Sequence, residues 1–331
     1  MDFEPTEEQA AARDLAARLF GDLSTHERLR AAGTGTDAEL WKALCAAGLV
    51  EAVEETGLLG LVLLAEEQGR TTAQVPFTAS AVYGLLAVAR HGTDEQRARL
   101  LPGLRDGTTV VTGALLHGGW IPWLRDATHV LVADETKALH LVPVDPDAVE
   151  PVELTAPWSA GHTALLPASG ERIGGPGPYA YEDVLTAARI AFAGLQAGVC
   201  AGSLARAVAY TSVREQFGRP LSSNQAVQLR AADAHMDTEA IRVTAYEAAW
   251  RYDQGLPVAE HALTAAWWAS EAGKRVVHAG QHLHGGTGAD LDHPVHRHFL
   301  WGRQLDAYLG CGTELLAELG DVIAEGKGEA R

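Results

Sequence analysis

Cysteine is scarce in these 331 residues, and the three that occur, Cys45, Cys200 and Cys311, lie far apart with no C-x-x-C spacing. They cannot all pair, which excludes a disulfide-stapled module and points to reduced thiols in a cytoplasmic setting. Positive charge is also short: 26 Lys and Arg stand against 43 Asp and Glu, a net charge of −17. So acidic a chain repels nucleic-acid backbones and anionic lipid, and no local basic patch is expected to override the total. No secretory leader is expected either, because Met1-Asp2-Phe3-Glu4 begins acidic where such a leader is basic and then apolar. Long apolar runs are missing. The uncharged stretch Ile190 to Ala205 falls short of the roughly 18 to 20 apolar residues of a membrane span. Its Ala and Gly content, interrupted by Gln196 and Ser203, fits a buried helix that packs closely.

What is present divides the chain in three, in keeping with about 150 residues per domain or three smaller units. From Thr6 to Gly107 the spacing is helical. Thr6 and Gln9 have the capping-box form, Asp37 can cap a helix that Gly48 stops, and further helices are predicted at about 58–68, 79–91 and 94–104. After Gly107, short strands are predicted at 108–111, 129–133, 139–144 and 149–154, with 134–137 as a hairpin connection, and prolines exclude long helices between about 143 and 178. Long helices return at about 183–217, 224–254, 258–284, 294–308 and 314–324, separated by Gly and Pro breaks. The expectation is a mainly α protein with a small β domain: an N-terminal α-helical domain (1–107), a middle β domain (108–180) and a C-terminal helical bundle (181–331). The polar tail 325–331 is expected to fray.

Two strings carry chemistry. Tyr210-Thr-Ser-Val-Arg214-Glu-Gln216-Phe217-Gly218-Arg-Pro220, followed by Gln225, presents a cation, an amide and an aromatic at one helix end. Such a set can bind a pyrophosphate, hydrogen-bond a nucleotide and stack on a ring. An ordinary helix C-terminus would explain Arg214 and Gly218 but not the whole string. The second string is Gln281-His282-Leu-His284-Gly285-Gly286-Thr287-Gly288, whose paired glycines let a ligand or backbone approach closely. His278 and His282 stand four apart, but neither an H-E-x-x-H arrangement nor a cysteine pair accompanies them, and no metal is expected.

The order of domains, the Arg-x-Gln-Phe-Gly-Arg-Pro string and a His-Gly-Gly-x-Gly turn about 70 residues later together resemble the acyl-CoA dehydrogenase family. The resemblance is strong over 186–313, recognisable over 40–107 and poor in the middle. It implies a helical domain, a shortened β domain and a C-terminal four-helix bundle. It also implies FAD shared across a subunit boundary, with the isoalloxazine on one chain's β domain and the adenine and pyrophosphate on the neighbour's bundle. Arg214, Gln216, Phe217, Gln225, His282 (where a Gln is usual), Gly285 and Gly286 match the neighbour-side positions.

Departures from the family are as informative. Its enzymes take the α-proton of an acyl thioester with a glutamate while the β-hydrogen leaves as hydride to flavin. The matching position is Leu309 in Tyr308-Leu309-Gly310, and the alternative site used by some relatives is Ala188, before Arg189. Neither can accept a proton. The family's Thr-Glu-Pro-x-x-Gly-Ser-Asp string is replaced by Thr112-Gly-Ala-Leu-Leu-His-Gly-Gly119, and its Trp-Ile-Ser/Thr-Asn string by Trp120-Ile121-Pro122-Trp123. Glu182, Asp183 and Glu314 are nearby carboxylates in sequence and read as solvated helix-end charges. The chain therefore resembles the short, glutamate-lacking subunit of the heterotetrameric (α2β2) dehydrogenases of steroid side-chain degradation. It would contribute FAD contacts and shape a pocket for a bulky CoA thioester, beside a catalytic partner that supplies the glutamate. Two alternatives stand: a structural or regulatory relative without flavin, and a homo-oligomeric flavoenzyme using Cys311, Glu314 or a histidine as base.

Overall fold

The structure, a computed structural model, describes residues 4–116, 119–164 and 167–326. Reciprocal bonds between Thr6 and Gln9 open α1 (Glu7–Leu23), as the capping-box pattern predicts. After α2 (His26–Ala32), the Asp37 carboxylate accepts from Leu40 N–H at 3.0 Å to start α3 (Ala38–Ala46). Helix α4 (Ala52–Thr71) is longer than the predicted 58–68 and kinks at Gly57, where φ is 71°. Beyond the kink, Leu58 and Leu59 donate to Asp253 at 2.8 and 2.9 Å, a cap supplied from nearly 200 residues away that local sequence cannot reveal. Helix α5 (Phe77–Ser80) runs through a π-helical stretch, Ala81–Leu86, into α6 (Ala87–His91), and a second capping box at Thr93 and Gln96 starts α7 (Asp94–Asp106).

The middle sheet has the order β1 (Val111–Ala114), β2 (His129–Ala133), β3 (Leu139–Pro143) and β6 (Glu171–Ile173), with β1 and β2 parallel and the other pairs antiparallel. Asp134 closes the expected hairpin by accepting from Thr136 and Ala138 N–H. Two strand predictions are corrected. The first strand starts at Val111 rather than Thr108, because Thr108 is bound into a turn by Asp106. The strand expected over 149–154 shrinks to β4 (Glu150–Pro151), paired only with β5 (Gly161–His162), since Pro151 has no N–H to extend a ladder.

The bundle comprises α8 (Tyr179–Val213), α9 (Gln225–Asp253), α10 (Ala259–Leu283), α11 (Pro294–Leu305) and α12 (Gly312–Ala324). By length and composition α8 could cross a bilayer, yet 94% of its most apolar window is buried inside the protein. Its small residues do what their composition suggests. A Cβ at Gly198 would lie 2.0 Å from the carbonyl oxygen of Glu66, one at Gly202 2.3 Å from that of Arg70, and one at Gly69 2.1 Å from that of Leu195. Helices α4 and α8 thus meet backbone to backbone, and one apolar core runs from the N-terminal helices through the sheet into the bundle. The helix predicted to reach Phe217 ends at Val213, where Arg214 turns to extended geometry (φ −74°, ψ 120°) and the chain enters a hairpin.

Candidate functional site: half of a dinucleotide cradle

The hairpin pairs β7 (Glu215–Gln216) with β8 (Arg219–Pro220) through a two-residue turn. Both turn residues have positive φ, 53° at Phe217 and 76° at Gly218, the type I′ geometry that matches strand twist. Gly218 adopts it freely, whereas for Phe217 it costs about 1 kcal/mol. The strain holds an aromatic ring wholly in solvent: Phe217 is 100% exposed. Arg214 and Gln216 flank it, both exposed, and Gln225 begins α9 behind the Asn224 cap. Among the described residues Arg214 makes no ion pair.

The second string closes α10. His282 is exposed on its last turn, and the chain continues through a 3-10 segment, Gly285–Ala289. A Cβ added at Gly285 or Gly286 would meet nothing within 4 Å, so this backbone is open to an approaching group. His284 faces inward, its Nδ1 2.7 Å from the Gly280 carbonyl oxygen and its ring stacked on Tyr210 of α8 at 4.8 Å. That stack joins the two strings. An unpaired guanidinium, a free aromatic face and an uncovered glycine backbone fit the adenine and diphosphate end of FAD.

The reacting end is different. Tyr308 and Leu309 are buried among aromatic rings: Phe192 lies 4.7 Å from Tyr308, Trp158 6.2 Å from Tyr308 and 5.3 Å from Trp301, and Trp123 stacks on Trp158 at 5.7 Å. Tyr308 donates to the Tyr83 hydroxyl at 3.3 Å, and burial raises its own phenol to about 12. Two voids of about 20 Å³ flank Tyr308 and Leu309, and among the described residues no carboxylate lines either. Such a void holds about one water, far below the roughly 300 Å³ of the smallest ordinary ligand pockets. The residues present do not fit a flavin ring. Ala188 is likewise fully buried.

Outside this plug, a cleft of about 840 Å³ opens between the start of α8, residues 255–263, α12 and Lys137 of the sheet domain, and Leu116 and Arg189 also line it. Arg189 is clamped by Glu318 at 2.8 and 2.6 Å. Asp183 is not the solvated charge its position suggests. It accepts from Tyr252 at 2.8 Å and Arg90 Nε at 3.1 Å, and lies 2.7 Å from His91 Nε2. Burial would raise its pKa, but His91, Arg90 and Tyr252 together hold it below the usual carboxylate value. Glu182 is exposed, as expected. Glu314 accepts from Cys311 N–H at 3.0 Å as a helix cap. His278 packs edge-on against Phe299 at 4.9 Å, and among the described residues no three His, Cys, Asp or Glu side chains converge.

The plug residues escaped sequence reading because they come from distant elements and follow no spacing. Residues 6–108 match the model of the acyl-CoA dehydrogenase N-terminal domain and residues 175–320 that of the C-terminal domain. Acyl-CoA dehydrogenase FadE27 of Mycobacterium tuberculosis is 32% identical, the alignment covering 98% of this chain and 99% of that protein. A solved variant of the Tcur3481-Tcur3483 steroid ACAD superimposes with a TM-score of 0.89 at 39% identity, covering 98% of this chain and 99% of the matched one. The ChsE4-ChsE5 complex from Mycobacterium tuberculosis gives 0.89 at 32% identity with the same coverage. With both domains matched in order and relatives aligned across nearly its whole length, the chain belongs to the acyl-CoA dehydrogenase family.

Proposed function

We propose that this chain is the non-catalytic subunit of a heteromeric, FAD-dependent acyl-CoA dehydrogenase, and that it supplies the adenine and diphosphate contacts to a flavin whose ring lies on the partner. The observation that carries this reading is the state of the two base positions: Leu309 and Ala188 are apolar and buried, while the nucleotide-side residues stand open. When bound, the flavin accepts the β-hydrogen of the thioester as hydride. Arg214 would balance diphosphate charge, the Gly285-Gly286 backbone would approach it, and Phe217 would cover the adenine. The α-proton goes to a carboxylate of the partner.

The substrate class we propose is a CoA thioester with a steroid side chain. Its support is that two structural relatives of similar length are a steroid ACAD and the ChsE4-ChsE5 complex. Co-expression with each full-length acyl-CoA dehydrogenase of the source genome tests the whole reading. The expected product is a hetero-oligomer with one flavin per pair of chains, which oxidises a steroid acyl-CoA more readily than a straight-chain one. Each chain alone should be flavin-poor and inactive. A flavin-loaded, active homo-oligomer of this chain would overturn the proposal, and a stable hetero-oligomer with no flavin absorption would reassign it as a structural subunit.

A further inference from the structure

The cleft of about 840 Å³ beside α8 has no part in the nucleotide contacts, and neither Leu309 nor Ala188 lines it. Its size lies within the roughly 300 to 1,000 Å³ of small-molecule pockets. Leu185, Leu256, Pro257, Val258, Leu263 and Val322 give it an apolar wall. Around Tyr181, by contrast, hydrogen-bond donors gather without acceptors. Lys137 reaches Tyr181 from the sheet domain, its ammonium 5.4 Å from the centre of the ring, a cation–π contact. The lysine sits in the β2–β3 hairpin with φ 61°, a left-handed conformation that only glycine adopts freely. Asp134 holds that turn by accepting from Thr136 and Ala138 N–H at 2.8 and 3.0 Å.

Among the described residues the Lys137 ammonium has no carboxylate partner and the Tyr181 hydroxyl no hydrogen bond, although Tyr181 is only 8% exposed. Burial raises its phenol above the usual value against the pull of nearby Arg189, so at neutral pH the hydroxyl carries its proton. Arg189, also 8% exposed, gives both terminal nitrogens to Glu318, but its buried Nε–H finds no acceptor.

The other charges of the cleft answer one another. Asp183 is held by Arg90, His91 and Tyr252, and Glu318 by Arg189. Arg90, Lys137 and Arg189 thus face Glu182, Asp183 and Glu318, and the lining has no net charge with which to hold a polyanion such as a nucleotide. A single carboxylate suits it better. One ammonium, one phenol and one guanidinium N–H can each donate to such a group, and charge-assisted bonds of this kind are the strong ones.

We infer that this cleft binds an apolar monocarboxylic acid, its carboxylate at Lys137, Tyr181 and Arg189 and its body along the wall between α8, α12 and residues 255–263. The site takes the free acid in preference to a CoA thioester, whose several phosphate charges the neutral lining cannot balance.

The test is calorimetric titration of the full-length chain with deoxycholate and with decanoate, each below its micellar concentration, and with decanamide and free CoA for comparison. At least one acid should bind saturably, one per chain, and whichever binds more tightly tells a polycyclic body from a straight one. Decanamide should bind at least tenfold more weakly than decanoate, and free CoA should displace neither acid. Lys137 is exposed, so Lys137→Gln should leave Tm unchanged while it weakens acid binding at least tenfold; Lys137→Arg should restore most of the loss. Leu256→Trp, at a half-exposed position on the wall, should block acid and amide alike. Failure of both acids to bind saturably, displacement of the acid by CoA, or binding indifferent to Lys137→Gln or to Leu256→Trp would overturn the inference. No flavin and no partner enter these readouts, so such a failure would leave the proposed function untouched.

Discussion

At the outer end of the bundle, side chains that could fold inward stand in solvent: Phe217 is held out by a left-handed backbone, Arg214 lacks an ion-pair partner, and the Gly285-Gly286 backbone is uncovered. At the junction of bundle and sheet the opposite holds, and Trp123, Trp158, Phe192, Trp301, Tyr308 and Tyr83 fill the interior until only voids of about 20 Å³ remain. Both regions lie on the same helices, since α8 contributes Phe192 to one and leads into Arg214 at the other. On the proposed function, holding a nucleotide and carrying out redox chemistry are separable properties of this architecture. One is written at helix ends, the other in the packing between layers.

The contrast can be broken most severely from the inside. Trp158→Ala should lower unfolding stability by about 3 to 5 kcal/mol, because a large buried ring is removed from a close-packed site; a loss below about 1 kcal/mol in denaturant titration would mean that the rings are not a packed plug. Leu309→Glu restores the family's carboxylate without its setting. At neutral pH it should cost about 3 kcal/mol, and the cost should shrink on acidification, because burial raises the new carboxyl's pKa and the folded state then binds the proton first. Thioester oxidation by this variant alone would abolish the distinction between the two regions.

Acid sensitivity should belong to the bundle rather than to the plug, whose ionisable groups are tyrosines. His298, beside the carbonyl oxygens of Arg70 and Pro294, is pushed down to about 4, first by burial and then by Arg206. Between about pH 6.5 and 4 the unfolded chain binds a proton that the folded chain refuses, so stability falls as pH falls through that window, by about 2 kcal/mol at pH 5. Unfolding curves of His298→Gln should lack this part of the slope. The smallest expected change is at the hairpin tip. Phe217→Gly should raise stability by up to about 1 kcal/mol through relief of the left-handed strain, while flavin content of the complex falls; destabilisation there would show that the ring is structural after all.

Much of the frame was legible because its signals are local. The capping boxes at Thr6 and Thr93, the Asp37 cap and the Gly and Pro breaks between bundle helices act within one turn of the residues that spell them. The candidate nucleotide-side residues group in sequence for a related reason: Gln216 and Phe217 share one hairpin, which Arg214 leads into, and Gly285 and Gly286 share one turn. What stayed hidden depends on distance. Asp253 caps α4 from α9, Asp183 is buried by Arg90, His91 and Tyr252, and the aromatic plug draws on the π-helical stretch, the sheet domain, α8 and α11. The helix end at Val213 was misplaced because apolar spacing continues to Phe217, and only the pairing of Gln216 with Arg219 shows that the chain has left the helix.

The glycine contacts between α4 and α8 bear on how such a division could arise. Where two helices are spaced by their main-chain atoms, their separation does not depend on which side chains surround them. The rod that carries Arg214 and Phe217 is thus mounted at a fixed distance from the N-terminal domain. Side chains of the neighbouring interior can therefore change, a base for a leucine or a small residue for a tryptophan, without moving the hairpin out of register.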